Sequence, residues 1–142
     1  MGAPIDVVAA ILINNNKVLI AQRADDDPLA GFWEFPGGKI EAGESTEQSL
    51  IREMQEEFCI DIEVNKFFGS STFEYEKGTV RLLSYICSWT GGEIRSTVHH
   101  DYAWVEISEM DRYEFAPADR PLVEKLRTGH QANTVIKSIT PQ

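Results

Sequence analysis

The sequence predicts a single α/β (α+β) domain, a mixed β-sheet sandwiched between α-helices. Three observations carry this. Strand-like segments come in a group of three and a group of four, each followed by a helical segment, so both faces of a sheet have a helix to cover them. Residues 7–13 are apolar throughout, as a strand buried on both sides requires. The 142 residues, 42% of them hydrophobic, suffice for one core and leave no room for two ordinary domains.

The elements follow in order. After the strand at 7–13, Asn14-Asn15-Asn16 tolerates the left-handed conformations of a tight turn. Residues 17–23 return as a second strand, making a hairpin. A polar loop at 24–31 holds three consecutive Asp and Pro28. A short aromatic strand at 32–35 is broken by Pro36-Gly37-Gly38. Ser45 and Gln48 form a capping-box pattern at a helix start. Leu50, Ile51, Met54 and Phe58 then fall on one core-facing stripe. Strands are expected at 60–68, 71–76 and 79–89, with a turn at Lys77-Gly78 and a loop at Thr90-Gly91-Gly92. A last strand covers 102–107, and Ser108 caps a short turn. Asp119-Arg120-Pro121 opens a second helix that runs to about Leu126, with Pro121 at a tolerated early position. The domain is bounded at 1–128, and 129–142 reads as a flexible tail.

Composition narrows the partners. Thirteen Lys+Arg against 23 Asp+Glu leave a formal charge of −10. That disfavours a nucleic-acid polymer or an anionic membrane. It leaves room for a small anion delivered with a divalent cation. Cys59 and Cys87 form neither a disulfide scaffold nor a zinc motif, which points to a reduced, cytoplasmic protein. The N-terminal apolar run is too short to span a bilayer and lacks the basic flank of a signal peptide. A monomer or a weak homodimer through an exposed strand edge is expected.

The chemistry concentrates on the first helix. Glu53, Glu56 and Glu57 stand at i, i+3 and i+4 and share one face beside the apolar stripe. Three carboxylates on adjacent turns repel one another. An acidic solvated face is the ordinary reading of such a cluster. A divalent cation is the other, since Mg²⁺ takes oxygen ligands from a few carboxylates plus substrate phosphates. Before the helix, Gly37-Gly38-Lys39-Ile40-Glu41-Ala42-Gly43-Glu44 supplies glycines that let a ligand approach the backbone. Glu44 can pair with Arg52 and clamp this loop to the helix.

At this point the chain resembles the Nudix family. Gly38, five residues, Glu44, seven residues, then Arg52-Glu53-Met54-Gln55-Glu56-Glu57-Phe58-Cys59-Ile60 follows the box G-x5-E-x7-R-E-U-x-E-E-x-G-U, where U is a bulky aliphatic. Six fixed identities match, which chance gives on the order of once in 10⁷ windows at ordinary residue frequencies. The flanking WEFPGGKIE and FAPADRPLVEKL extend the likeness to the MutT-type branch, over about residues 5–127. The resemblance implies a Nudix fold. It also implies a Mg²⁺-dependent hydrolase, Mn²⁺ being an acceptable substitute, that cleaves nucleoside triphosphates to monophosphate and pyrophosphate and so sanitises the nucleotide pool. By position, Glu53, Glu56, Glu57 and the Gly37 carbonyl would hold metal. Glu53 would activate water, and Arg52 and Glu44 would complete the catalytic set. Arg23, Phe35, Gly38, Lys39 and Asp119 would meet the nucleotide.

Two positions depart from the pattern. Cys59 replaces the closing glycine, where a left-handed cap is expected, so a stability cost or a shifted cap follows. Val98 stands where the branch usually has a loop glutamate, and valine ligates nothing. Asp101 or a nearby histidine could substitute, although an exposed loop without a metal role is the plainer reading of His99 and His100.

The base preference turns on Asp119. Ionised Asp only accepts hydrogen bonds, which suits the N4 amino group of cytosine. Asn, common there in MutT proteins that favour oxidised guanine, both donates and accepts. Cytosine or 5-methylcytosine nucleotides are therefore expected, with 8-oxo-dGTP as the close alternative and a non-catalytic nucleotide-sensing domain as the second. Arg23 has a competing reading as a strand-end charge, Phe35 as core packing, and Asp119 as the N-cap of the last helix.

Overall fold

The computed structural model describes residues 3–131. Strand β1 (Ile5–Asn14) lies at the centre and is buried on both faces, as its uninterrupted apolar run demands. Its side chains alternate between two cores. Val8, Ala10 and Leu12 meet Leu50, Met54 and Phe58, while Ala9 and Ile11 meet a cluster with Leu122 and Leu126. Strand β2 (Lys17–Gln22) returns through a two-residue turn. Asn15 (φ 52°) and Asn16 (φ 63°) are both left-handed there, as a tight hairpin requires.

Strand β3 (Trp33–Glu34) is shorter than the aromatic segment suggested. The expected break is present, at Phe35-Pro36, but the two glycines that follow already belong to the next strand. Gly37–Lys39 forms strand β4, antiparallel to β1 with Val8 opposite Gly38. A Cβ on Gly37 would overlap the Val8 carbonyl, so the glycine permits pairing too close for any side chain.

Helix α1 (Thr46–Phe58) begins at the capping box read from the sequence. The Ser45 hydroxyl accepts from the Gln48 N–H at 3.0 Å, and the Gln48 side chain accepts from the Ser45 N–H at 2.9 Å. The buried row is Leu50, Met54 and Phe58, with Ser49 beside it. Ile51 departs from the expected stripe and is 42% exposed. It lies about 100° around the helix from Leu50, outside the i, i+4, i+8 row that the sheet covers.

The segments expected at 60–68 and 71–76 are one strand, β5 (Asp61–Tyr75), paired antiparallel with β6 (Gly78–Gly91). Three register shifts bend it without ending it. Gly69, a breaker in sequence, lets Leu122 and Lys125 of the C-terminal helix close in, and its carbonyl accepts the Ser84 hydroxyl at 2.7 Å. The hairpin turn is Glu76-Lys77, and Gly78 already belongs to β6. Gly91, read as loop, also belongs to β6. Strand β7 (Asp101–Val105) pairs with β2. A 3-10 segment (Ile107–Arg112) follows, capped by Glu106 with Glu109, so Ser108 sits inside it and does not cap it. Helix α2 (Arg120–Gln131) extends beyond the boundary read at residue 128. Of the expected tail, residues 132–142 lie outside the described residues.

The sheet runs β3-β2-β1-β6-β5, with β4 also beside β1 and β7 beside β2. Among the described strands β1 and β6 pair in parallel and the other strand pairs are antiparallel, so the sheet is mixed. Helix α1 shares one core with the sheet, and α2 with the 3-10 segment shares the other. This is the helix–sheet–helix sandwich expected. Among the described residues no helix is long and apolar enough to cross a membrane. Both cysteines are free. Cys87 is 1% exposed, and burial pushes its thiol up to about 12.

Cys59 occupies the left-handed cap itself, at φ 61° and ψ 32°, and its N–H reaches the Gln55 carbonyl at 3.0 Å. The geometry that glycine favours is kept and the side chain bears the strain. Cys59→Gly should therefore raise stability by about 0.5–1 kcal/mol, since relief of left-handed strain outweighs the added freedom of the unfolded chain. Thermal melts of the two proteins check this.

Candidate active site

The end of β4 and one face of α1 are joined by Arg52. Its Nε donates to Glu44 Oε2 at 2.7 Å and its Nη2 to Glu44 Oε1 at 3.1 Å. Nη2 also reaches the Lys39 carbonyl at 3.2 Å, and Nη1 reaches Glu53 and Glu56, each at 3.1 Å. Glu44 additionally accepts the Glu41 N–H at 3.0 Å. The bond to Arg52 holds the Glu44 carboxyl below its ordinary pKa. The clamp expected between Glu44 and Arg52 is thus present.

The three helix carboxylates differ in environment. Glu56 is 59% exposed and turned to Arg52. Glu53 is 13% exposed, and burial raises its pKa against the pull of Arg52. Its carboxyl lies where a Cβ on Gly38 would stand, so Gly38 must be glycine for Glu53 to pack there. Glu57 is the extreme. Burial pushes its carboxyl up to about 9, with the negative charges of Glu53 and Glu34 adding and the Gly37 backbone opposing. Glu57 Oε1 is buried without a partner. Such an oxygen calls for a proton or a cation.

Among the described residues, no three acidic, histidine or cysteine side chains already form an ion cage. The donor set still fits a hard divalent cation. An orphaned carboxylate oxygen and a second carboxylate meet at one place, and Glu56 lies one turn away, held there by Arg52.

Glu57, Gly37 and Gly38 line a cleft of about 1010 Å³, ample for a nucleotide, with Glu53 packed behind Gly38. The wall opposite is built around Arg23, whose Nε and Nη2 grip Asp27 at 2.8 and 2.9 Å while Nη1 donates to Glu34 at 2.7 Å. Arg23 is therefore a braced, half-buried cation and not a loose strand-end charge. Phe35 is 3% exposed, its ring 5.6 Å from that of Phe115, so the ring is core and its backbone serves the cleft. The Phe35 N–H donates to Asp119 Oδ2 at 3.0 Å. The Asp119 side chain thus reaches across to β3 and does not cap α2; its backbone carbonyl receives the N–H groups of Leu122 and Val123. Burial drives the Asp119 carboxyl well above its ordinary pKa, and the Glu34 charge adds to this. Tyr75 steadies the segment by accepting the Ala118 N–H at 2.9 Å. The Lys39 side chain is exposed at the rim. Val98 is 55% exposed there.

Two residues were missed or misread. Glu34 was not singled out, although an acid inside an aromatic strand was the signal. His99, taken for an exposed loop residue, has a side chain only 5% exposed and stands 2.8 Å from Glu34. His100 is exposed as expected, at 56%.

With this geometry established, likeness to known proteins is informative. The NUDIX domain family matches residues 7–125. The CTP pyrophosphohydrolase of Escherichia coli strain K12 is 38% identical over 120 residues, covering 84% of this chain and 89% of that protein. The 8-oxo-dGTP diphosphatase of the same organism is 32% identical over 120 residues, covering 84% and 93%. The solution structure of the E. coli ORF135 protein superposes with a TM-score of 0.79 at 34% identity, covering 92% and 94%. Agreement in sequence and backbone over most of both chains makes the chain a member of the Nudix family of hydrolases.

Proposed function

We propose that the protein is a Mg²⁺-dependent nucleoside triphosphate pyrophosphohydrolase of the cytoplasm that favours cytosine and 5-methylcytosine nucleotides. The observation that carries the reaction is the orphaned Glu57 oxygen beside Glu53 and the Gly37-Gly38 backbone. Glu53, Glu56, Glu57 and the Gly37 carbonyl would hold Mg²⁺, which supplies the positive charge that offsets a triphosphate. Glu53 lies beside these groups and takes the proton of the attacking water. The water oxygen bonds to phosphorus, the bridging P–O bond breaks, and monophosphate and pyrophosphate leave. Arg52, held by Glu44 and the Lys39 carbonyl, keeps Glu53 and Glu56 in place throughout.

Asp119 carries the base preference. It lines the cleft with one oxygen committed to the Phe35 N–H, and a base edge would meet the other. The likeness to a CTP pyrophosphohydrolase supports cytosine. Burial supports a second reading, oxidised dGTP, because a neutral carboxyl both donates and accepts, as Asn does. The reason first drawn from an ionised Asp119 therefore separates the two bases less sharply than the sequence suggested.

Pyrophosphate release with Mg²⁺ across the four dNTPs, CTP, 5-methyl-dCTP, 8-oxo-dGTP and ADP-ribose tests the reading. Fastest release from a cytosine nucleotide supports it; fastest release from 8-oxo-dGTP selects the alternative. Silence on every nucleotide from a folded protein overturns catalysis and favours a sensing domain. Glu57→Gln should lower turnover about 100-fold or more, as expected for loss of a metal ligand, while the protein still melts cooperatively as a folded domain; retained activity would remove Glu57 from the site.

Asp119→Asn should move the substrate ranking toward 8-oxo-dGTP in the same panel. An unchanged ranking would make Asp119 a structural tie to Phe35 only.

Stability should depend on pH with a definite sign. The folded protein holds a proton on Glu57 up to about pH 9, whereas the ordinary value is 4.5. Between these values the folded state binds more protons than the unfolded chain, so stability is full below about 4.5 and is lost as pH rises. Asp119 acts in the same direction. Metal-free protein should melt at lower temperature at pH 8.5 than at pH 5.5, and Glu57→Gln should flatten the difference.

A further inference from the structure

His99 lies on the loop between β6 and β7, beside exposed Val98, yet its own side chain is 5% exposed. Its ring stacks on that of Phe58, with centroids 5.3 Å apart and planes 14° apart. Nε2 stands 2.8 Å from Glu34 Oε2, and facing a carboxylate oxygen this nitrogen donates. Nδ1 is buried without a partner. For packing alone an apolar ring would serve better on Phe58, because a buried unpaired nitrogen is unfavourable. What histidine adds is the Nε2–H.

That donor belongs to a continuous chain of side chains. Glu34 uses its other oxygen, Oε1, to accept from Arg23 Nη1 at 2.7 Å, and Arg23 grips Asp27 with Nε and Nη2. Three of the five guanidinium N–H groups are committed in this way, and the other two have no partner among the described residues. The His99 end is itself anchored. Thr97 N–H donates to the Glu57 carbonyl and His100 N–H to the Gln22 carbonyl, each at 3.0 Å. Glu34 also sits within the field of two other acids, Glu57 and Asp119. Without a donor on its far oxygen it would face them with Arg23 as its sole partner.

We propose that His99 is a positioning residue for nucleotide binding: it fixes Glu34 through Nε2, and through Glu34 it fixes the Arg23 guanidinium on the wall of the cleft. The inference rests on the nucleotide reading of that cleft. It adds a distant loop residue that aims the one cation braced there.

Three variants test it. His99→Phe keeps the stack on Phe58 and removes the donor. His99→Gln keeps a donor at the length of Nε2. His99→Asn is too short to reach Glu34. Steady-state kinetics on the best nucleotide of the panel should show KM raised about tenfold in the Phe and Asn variants with kcat within about twofold, the pattern of lost ground-state binding. His99→Gln should recover most of the KM. In parallel, the Nε–H resonance of Arg23 in ¹⁵N-labelled, nucleotide-free protein should be sharp and slow to exchange in the native protein and in His99→Gln, and broadened in His99→Phe. Thermal melts verify that each variant folds. Unchanged KM in the Phe variant, an unchanged Arg23 resonance, or a fall in kcat shared by all three variants would overturn the proposal. Should the native protein hydrolyse no nucleotide, the functional reading fails and the Arg23 resonance still decides whether His99 positions this side chain.

Discussion

One guanidinium organises the glycine-strand and acidic-helix side of the cleft. Arg52 cannot give up its proton, and its planar fork can serve several oxygens at once. It joins Glu44 on the loop, the Lys39 carbonyl at the end of β4, and Glu53 and Glu56 on α1. The glycine strand and the acidic helix therefore cannot separate without stripping a charge of its partners. This constraint explains why so acidic a helix face is tolerated. Two of its carboxylates are met by Arg52, and the third, Glu57, is sheltered deeply enough to stay neutral in the metal-free protein.

The cleft inverts this arrangement on its far side. There one cation, Arg23, is surrounded by Asp27 and Glu34, with Asp119 close enough to feel its charge. Acids outnumber bases on both walls, and burial answers the imbalance by raising the pKa of Glu57 to about 9 and that of Asp119 in the same direction. A site of this kind disfavours a bare anion and is suited to one that brings its own positive charge. The net charge of −10 is thus concentrated in meaning as well as in number.

Much was legible because it is local. Ser45 and Gln48 are three residues apart and satisfy each other; Asn15 and Asn16 permit their own φ values; the alternation along β1 follows from strand geometry. The box carboxylates and the Glu44–Arg52 pair were readable from spacing and resemblance. What was not legible depends on partners distant in sequence. Gly37 pairs as a strand only because the Val8 carbonyl presses against it, and Gly69 continues β5 because α2 needs the room. Asp119, read as a base contact with a competing role as helix cap, gives one oxygen to the N–H of Phe35, 84 residues earlier, which no local pattern shows. Glu34 and His99, 65 residues apart, acquire meaning only from each other.

The last turn of α1 has its carbonyls satisfied from far along the chain. Arg95 N–H meets the Phe58 carbonyl at 2.9 Å, Thr97 N–H meets that of Glu57 at 3.0 Å, and the Thr97 hydroxyl reaches that of Glu56 at 2.8 Å. A helix normally closes its own end within a few residues. Here the end that carries Glu56 and Glu57 waits for the β5–β6 hairpin to form and bring the following loop back. During synthesis, the helix can start from its capping box as soon as it emerges, but its last turn is completed only after some forty further residues have followed and folded onto it.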